Sequence, residues 1–493
     1  MRAASPTRVN PGGSEAEPWD INPKNMSFKR YNIENLEIIS AGAEGKAVGK
    51  VDGLTVFVPY AVPGDIVDVE VYKRKRGYAE CNLLAIKQPS PDRVVPPCGH
   101  FGNCGGCKWQ MLTYEKQLEF KQKQVEDNFK HLGKFEFPPL MSIIGSEKIY
   151  YYRNKLEYTF STMLWLTYDD LKKQAEGEFF ENRCLGFHVP GMFDKILDIK
   201  HCWLQAAPSN DIRLFCKQYA IEHNLDFYDP RQQQGLLRNL IIRTASTGDL
   251  MVVLIVTKYN QEVKDMLAAL MDRFPEITSL TFVINTKLND AIFDLPFHLY
   301  AGQDYITEKM ENLQFKVGPK SFYQTNSEQA YNLYKVVREF ADIQKDEVVY
   351  DLFTGTGTIA NFVAHQAKRV VGIEYVDTAV EDAKINSAQN NITNTEFVVG
   401  DMAKIFTDEF IAKHGKPDVI ISDPPRAGMH PNVIEQLLKL EVPRIVYVSC
   451  NPATQARDLT LLDPKYRVEK VQPVDMFPHT QHVENVVLLK LRQ

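Results

Sequence analysis

The rhythm of apolar and polar positions changes three times along the chain. Residues 1 to about 25 carry no hydrophobic periodicity, which predicts a disordered tail over 1–27. From Asn35 to Gln88 the pattern becomes short alternating runs, among them Leu36-Glu37-Ile38-Ile39, Thr55-Val56-Phe57-Val58 and Ile66-Val67-Asp68-Val69-Glu70-Val71. Glycines 42, 45, 49 and 53 and the turn Pro63-Gly64-Asp65 separate them. Short strands at this spacing predict a small antiparallel barrel of the OB type, bounded at 28–89. A Pro-rich linker, Pro89 to Pro97, leads into a cysteine-rich loop. Residues 112–132 read as a helix with Leu118, Val125 and Phe129 on one face. Residues 150–320 alternate strands with helices around a stretch, Asp169 to Glu181, that reads as a surface insertion; together 90–320 form a central α+β domain. A helix is expected from Ser327. After Glu347 come continuous apolar runs, Val348-Val349-Tyr350, Val370-Val371-Gly372-Ile373, Phe397-Val398-Val399, Val419-Ile420-Ile421 and Ile445-Val446-Tyr447-Val448, separated by helical patterns. These predict buried parallel strands, so 321–493 is expected to be a doubly wound, Rossmann-like sheet and the chain as a whole α/β.

Length and composition sharpen this outline. With 493 residues, 44% of them hydrophobic, the chain has room for about three packed domains. The longest apolar run, Leu250 to Val256, is strand-sized, and nothing approaches the length of a membrane helix. Eight cysteines and a polar amino-terminal stretch predict a reduced, cytoplasmic protein without disulfides. A net charge of −6 argues against coating nucleic acid through bulk charge, so any such role must rest on local sites. One is Lys73-Arg74-Lys75-Arg76-Gly77-Tyr78 in the last hairpin of the barrel, which reads either as a solvated turn or as a phosphate-binding edge with a stacking ring.

Cys98, Cys104 and Cys107 form a C-x5-C-x2-C triplet in a glycine-rich loop. Zinc sites usually come as two pairs, whereas three clustered cysteines with a remote fourth resemble iron–sulfur ligation. Cys202, in His201-Cys202-Trp203, is the best fourth candidate and Cys184 its competitor; Cys81 and Cys216 fit core positions. Further on, Asp351-Leu352-Phe353-Thr354-Gly355-Thr356-Gly357-Thr358 follows the first buried strand and opens a helix. Taken alone it fits a dinucleotide fingerprint, with Glu374 available to a ribose. Asp351 opposes a pyrophosphate, however, and suits the cationic S-adenosylmethionine. Two more strands end in Asp423-Pro424-Pro425-Arg426 and Ser449-Cys450-Asn451-Pro452, and ligands on open α/β sheets bind outside such carboxyl ends. Asn451 can cap, and Pro452 start, a helix whose amino terminus favours a Cys450 thiolate. If a last strand begins at His482, His482 and Glu484 share a face; with His479 they offer either a metal site or a solvated strand end.

This ordered set, together with Ser321-Phe322-Tyr323-Gln324-Thr325-Asn326, resembles the RNA uracil-C5 methyltransferases over residues 35–490. The barrel is similar to the TRAM domain of that family. The likeness is strongest to its ribosomal RNA branch, because the transfer RNA branch typically lacks the barrel and the cysteines. The resemblance implies that Cys450 is the nucleophile and Glu484 the base that removes the C5 proton. It implies that Gln324, Phe353, Thr358, Glu374 and Asp423 surround S-adenosylmethionine and the target base, Thr358 replacing the Asn of bacterial members. It further implies that Cys98, Cys104, Cys107 and Cys202 hold a [4Fe-4S] cluster, and that the protein acts as a monomer on RNA, ribosomal RNA first.

The chemistry asks for the same residue types. Uracil C5 is a poor nucleophile, and a thiolate added at C6 makes an enolate whose C5 can attack a methyl group. Restoring the ring then needs a base for the C5 proton. The target base must leave its stack, which favours a loop or single strand. Two other classes fit parts of the pattern: an NAD-dependent oxidoreductase, by the Gly355 loop, and a non-catalytic RNA-binding iron–sulfur scaffold, which would need neither Cys450 nor Glu484.

Overall fold

Alternation in the first strands points every second side chain inward. Leu36, Ile38, Val56, Val58, Val67, Val69 and Val71 are all buried in one small core. In the computed structural model, which describes residues 29–492, these strands close a barrel; the expected tail 1–27 lies outside the described residues. The barrel consists of β1 (Tyr31–Ala41), β2 (Ala47–Val51), β3 (Leu54–Val58), β4 (Ile66–Lys75) and β5 (Tyr78–Gln88), in the order β1-β2-β3-β5-β4.

The helix expected over 112–132 runs from Tyr114 to Asn128 and ends in a widened turn, Phe129–Gly133. Its inner face differs from the apolar stripe expected. Val125 and Phe129 are buried, but Leu118 is only half-buried, and Gln117 and Lys121 are completely buried. The helix lies against a polar segment of the carboxy-terminal domain, whose hydrogen-bonding groups require polar partners.

The central domain is a seven-stranded sheet formed by β6 (Lys155–Ser161), β7 (Cys184–His188), β8 (Ile196–Asp198), β9 (Leu237–Thr244), β10 (Leu250–Val256), β11 (Ser279–Ile284) and β12 (Phe297–Gly302). Its order is β12-β11-β10-β9-β6-β7-β8. The unbroken apolar run of β10 is explained by burial on both faces. Leu250, Val252, Leu254 and Val256 enter the central domain's own core, while Met251, Val253 and Ile255 enter a second core shared with Val349, Ile421, Val446 and Val486. The boundary near residue 320 therefore divides the chain but not the packing. The stretch Asp169 to Glu181 takes in all but the first residue of the helix Tyr168–Ala175, capped by Thr167 and Asp170 and without a buried residue.

After the hairpin β13 (Ile306–Met310) and β14 (Leu313–Val317), the helix Ser327–Ala341 begins where expected, with Asn326 as its cap. The last sheet comprises β15 (Val348–Leu352), β16 (Arg369–Glu374), β17 (Thr395–Val399), β18 (Val419–Ser422), β19 (Arg444–Ser449), β20 (Tyr466–Val474) and β21 (Glu484–Leu491). Its order is β17-β16-β15-β18-β19-β21-β20. The five expected strands pair in parallel, and β21 runs antiparallel between β19 and β20. Leu352 pairs with both Ile373 and Ser422, and Ser422 with Tyr447, so the carboxyl ends of four strands finish level at one rim. Among the described residues, no helix is long and apolar enough to cross a membrane.

Candidate active site

The turn after β15 is built on backbone that side chains disfavour. Phe353, Gly355 and Gly357 have φ of 66°, 56° and 75°, and a Cβ on Gly357 would stand 2.8 Å from that of Ala383. Two carboxylates brace the turn. Asp351 Oδ2 accepts from the Thr354 hydroxyl (2.5 Å) and the Ala360 amide (3.0 Å), and Glu374 accepts from the amides of Gly355 and Val376 (3.0 Å each). Asp351 therefore turns partly inward as a loop anchor, although its Oδ1 is buried without a partner. Burial, with the charges of Asp423 and Glu374 adding to it, pushes the Asp351 carboxyl up to about 7 against the Thr354 and Ala360 hydrogen bonds. Thr358 is buried in the first turn of the following helix, its hydroxyl 3.4 Å from that of Thr356. Gln324 is half-buried; its carbonyl oxygen takes the Asn154 amide (2.9 Å), and its side chain meets the Tyr334 hydroxyl.

Cys450 follows β19 directly and is half-buried. Asn451 caps the helix Pro452–Leu462 by accepting from the Ala453 amide (3.1 Å), and Pro452 occupies its first turn. Asn451 Nδ2 and the Thr454 hydroxyl both donate to the Arg426 carbonyl (3.2 and 3.1 Å), which ties the loop after β18 to the same helix start. On the other side, Ser449 pairs with Asn485, so Cys450 leaves its strand beside Glu484 at the start of β21.

The electrostatics of this crevice are dominated by dry acids. Burial pushes Asp423 up to about 7. Burial first, and then the Asp423 charge, raises Glu484 to about 8, with Arg426 opposing. The Cys450 thiol is pushed up to about 11 by burial and by the charges of Glu484 and Asp423; Arg426, which also hydrogen bonds to it, pulls the other way. A site with protonated acids near neutrality can release or take protons as charge develops on a ligand.

The two histidines do not join this group as a metal site. His482 precedes β21 instead of beginning it; burial and the nearby cations Arg426, Lys121 and Arg153 hold it down at about 4, so its ring is neutral. His479 is stacked on Tyr150 (centroids 4.3 Å apart) and faces Gln117 through Nδ1 (3.2 Å).

Arg426 and His482 also line a cavity of about 730 Å³ between the central and carboxy-terminal domains. Arg153, Lys155, Arg243 and Lys320 add positive charge to its wall, Phe322 and Phe293 add exposed rings, and Glu157 is its one acid. Cys98, Cys104, Cys107 and Cys202 all face the same cavity. None forms a disulfide, and Cys104, Cys107 and Cys202 are raised by burial, to about 12 for Cys107 and about 11 for Cys202, with added repulsion from one another and from Cys98. Among the described residues no three His, Cys, Asp or Glu side chains are gathered to hold a metal ion, so the thiols are assembled around one space without enclosing a single-ion site. Cys184 lies elsewhere, in the core with its Sγ against the Ser161 carbonyl (3.2 Å), and Cys81 and Cys216 are also core residues. On the barrel hairpin Lys73 is engaged by Glu80 (2.5 Å) and Lys75 lies over the Tyr78 ring (5.9 Å), leaving Arg74 and Arg76 as exposed cations.

Sequence reasoning passed over Arg426, Gln117 and Lys121 as site residues. Arg426 could have been found from its place after a strand-end Asp-Pro-Pro. The two helix residues gave no signal, since polar side chains on a helix usually face water.

These features define a doubly wound sheet of the methyltransferase type joined to a small closed barrel and an electropositive cleft. Residues 244–492 match the family described as tRNA (uracil-5-)-methyltransferase, and residues 33–84 match the TRAM domain. The chain is 58% identical over 454 residues to an uncharacterised RNA methyltransferase of Bacteroides thetaiotaomicron, covering 91% of this chain and 100% of that one. It is 37% identical to one from Chlorobaculum tepidum, covering 94% and 98%. The crystal structure of Pyrococcus abyssi tRNA (uracil-54, C5)-methyltransferase in complex with S-adenosyl-L-homocysteine is similar with a TM-score of 0.71 and 28% identity, over 93% of this chain and 100% of that one. The chain thus belongs to the RNA (uracil-5-)-methyltransferase family and is an S-adenosylmethionine-dependent RNA methyltransferase.

Proposed function

We propose that this enzyme methylates C5 of a uridine in RNA through a covalent Cys450–C6 adduct, with Glu484 as the base. The observation that carries the proposal is the Ser449–Asn485 pairing, which brings a thiol and a buried carboxyl from different strands to one crevice beside Asp423 and Arg426. The Cys450 thiolate adds to C6, and the ring electrons move to an enolate stabilised by donors in the site. C5 then takes the methyl group from the sulfonium of S-adenosylmethionine, whose S–CH3 bond breaks to leave the neutral thioether S-adenosylhomocysteine. Glu484 removes the C5 proton, the C5–C6 double bond re-forms and the thiolate leaves. Gln324, Phe353, Thr358, Glu374 and Asp423 are the residues proposed to hold the methyl donor and the base.

The proposed [4Fe-4S] ligands are Cys98, Cys104, Cys107 and Cys202. The support is their donor chemistry, four thiols lining one space. Ribosomal RNA is the proposed substrate, on the barrel and cysteines that the resemblance associates with that branch. The Pyrococcus enzyme, similar over its whole length and named for transfer RNA, supports a second reading.

With radiolabelled methyl donor, Glu484→Gln should accumulate label in a denaturation-resistant RNA–protein complex, whereas Cys450→Ala should bind donor yet form neither complex nor product. Normal turnover by Glu484→Gln would assign the base elsewhere, and activity in Cys450→Ala would refute covalent catalysis. Mapping 5-methyluridine in ribosomal and transfer RNA from cells lacking the gene separates the two substrates.

A further inference from the structure

The segment that delivers Glu484 is held from outside its own sheet. Between β20 and β21 the chain passes through His479, whose φ of 64° is a left-handed conformation uncommon in a residue with a side chain and held here by its surroundings. Those surroundings are supplied by the polar face of the helix Tyr114–Asn128. Gln117, with no exposed surface, accepts from the His479 amide through Oε1 (2.8 Å) and sets Nε2 3.2 Å from His479 Nδ1. The same Nε2 reaches the carbonyls of Trp109 (3.1 Å) and Leu112 (2.9 Å). The His479 carbonyl is taken in turn by the amides of Lys108 (2.8 Å) and Trp109 (3.0 Å). One helical turn further on, Lys121 forms a fully buried ion pair with Asp475 (2.5 Å) and donates to the Phe477 carbonyl (3.0 Å).

This clamp grips the turn that leads into Glu484. Cys450 and Asp423 stand at the ends of parallel strands and are tied by the Asn451 cap and the Arg426 carbonyl, none of which touches Gln117. Glu484, in contrast, follows the clamped residue by only five positions, and Thr480 and His482 continue the chain of hydrogen bonds toward it through the Thr480 hydroxyl (3.2 Å from the His482 amide). We propose that Gln117 is a positioning residue for removal of the C5 proton, acting through His479 on the placement of Glu484, while thiolate addition and methyl transfer proceed without it. The inference rests on the covalent reading above.

The test uses the full chain with RNA carrying tritium at uridine C5 and, separately, radiolabelled methyl donor. In Gln117→Leu, which keeps the bulk and removes the grip on His479, covalent complex should form within about twofold of the parent rate. Tritium release should fall tenfold or more, so methylated complex should build up on a denaturing gel. His479→Ala should give the same split, and Glu119→Ala, on the exposed face of the same helix, should leave both rates unchanged. If Gln117→Leu does not fold, the split in His479→Ala decides alone. Parallel loss of both rates means the clamp is structural only and overturns the proposal, as do two unchanged rates. A parent enzyme that forms no covalent complex overturns the covalent reading instead, so the two failures are distinct.

Discussion

The ionisation of Cys450 offers a quantitative check on the crevice. The thiol is raised to about 11 by burial and by the charges of Glu484 and Asp423, and lowered by Arg426. At pH 8 it lies three units below its midpoint, so about one thiol in a thousand is ionised. Alkylation by iodoacetamide follows the thiolate. The rate at the Cys450 peptide, read by mass spectrometry, should therefore keep climbing from pH 7 to 10 without a plateau, least steeply near pH 8, where Glu484 gains its charge. Glu484 is itself raised to about 8, so its charge is present above that pH and absent well below it. Glu484→Gln should consequently speed alkylation only on the alkaline side, by about tenfold for a shift of one unit, or about 1.4 kcal/mol, and match the parent near pH 6. Arg426→Gln removes the one opposing cation and should slow the reaction by about tenfold or more at every pH, an adjacent opposite charge being worth one to three units. A parent plateau at or below pH 9, or a Glu484→Gln effect that does not change with pH, would refute the reasoning.

Gly357→Ala should abolish S-adenosylmethionine binding by calorimetry while the barrel and central domain stay folded, since the new methyl group meets Ala383 at 2.8 Å in a left-handed backbone. Neutralising Arg74 and Arg76 should weaken RNA binding and reduce the slope of log affinity against log salt by about 1.4, at about 0.7 per single-strand phosphate contact; an unchanged slope returns this hairpin to a solvated turn. Protein purified without oxygen should contain iron and sulfide, and Cys202→Ser should lose most of both. Stoichiometric zinc without sulfide would refute the cluster.

The barrel and the methyltransferase sheet were legible because each imposes a simple period. Alternation marks β1 to β5, and unbroken apolar runs mark strands covered on both faces, as in β10, whose odd and even positions serve different cores. Motif order singled out Cys450 and Glu484, but their adjacency depends on the register of an antiparallel strand, which no local pattern encodes. The expectation of His482 on the face of that strand failed because the strand begins two residues later. The stripe on the helix Tyr114–Asn128 was misread for a related reason: Leu118 is the better apolar residue, yet Gln117 and Lys121 are buried because their partners lie some 350 residues away in sequence. Asp351 was read as facing the ligand, whereas one of its oxygens holds the loop itself.

The antiparallel course of β21 has a consequence for how this site can vary. In a wholly parallel sheet every strand offers only its last residues to the reactive rim, as β15, β18 and β19 do here. Here one strand departs where its neighbour arrives, so the separation of Cys450 and Glu484 is written in backbone ladder bonds. The outer face of the helix Pro452–Leu462 could change without altering that separation, whereas β20, paired along β21, and the clamped turn at His479 could not. The vulnerable quantity is alignment: a slip of one residue would turn Glu484 to the opposite face of the sheet, and under the mechanism proposed above the reaction would then halt with the methyl group already delivered.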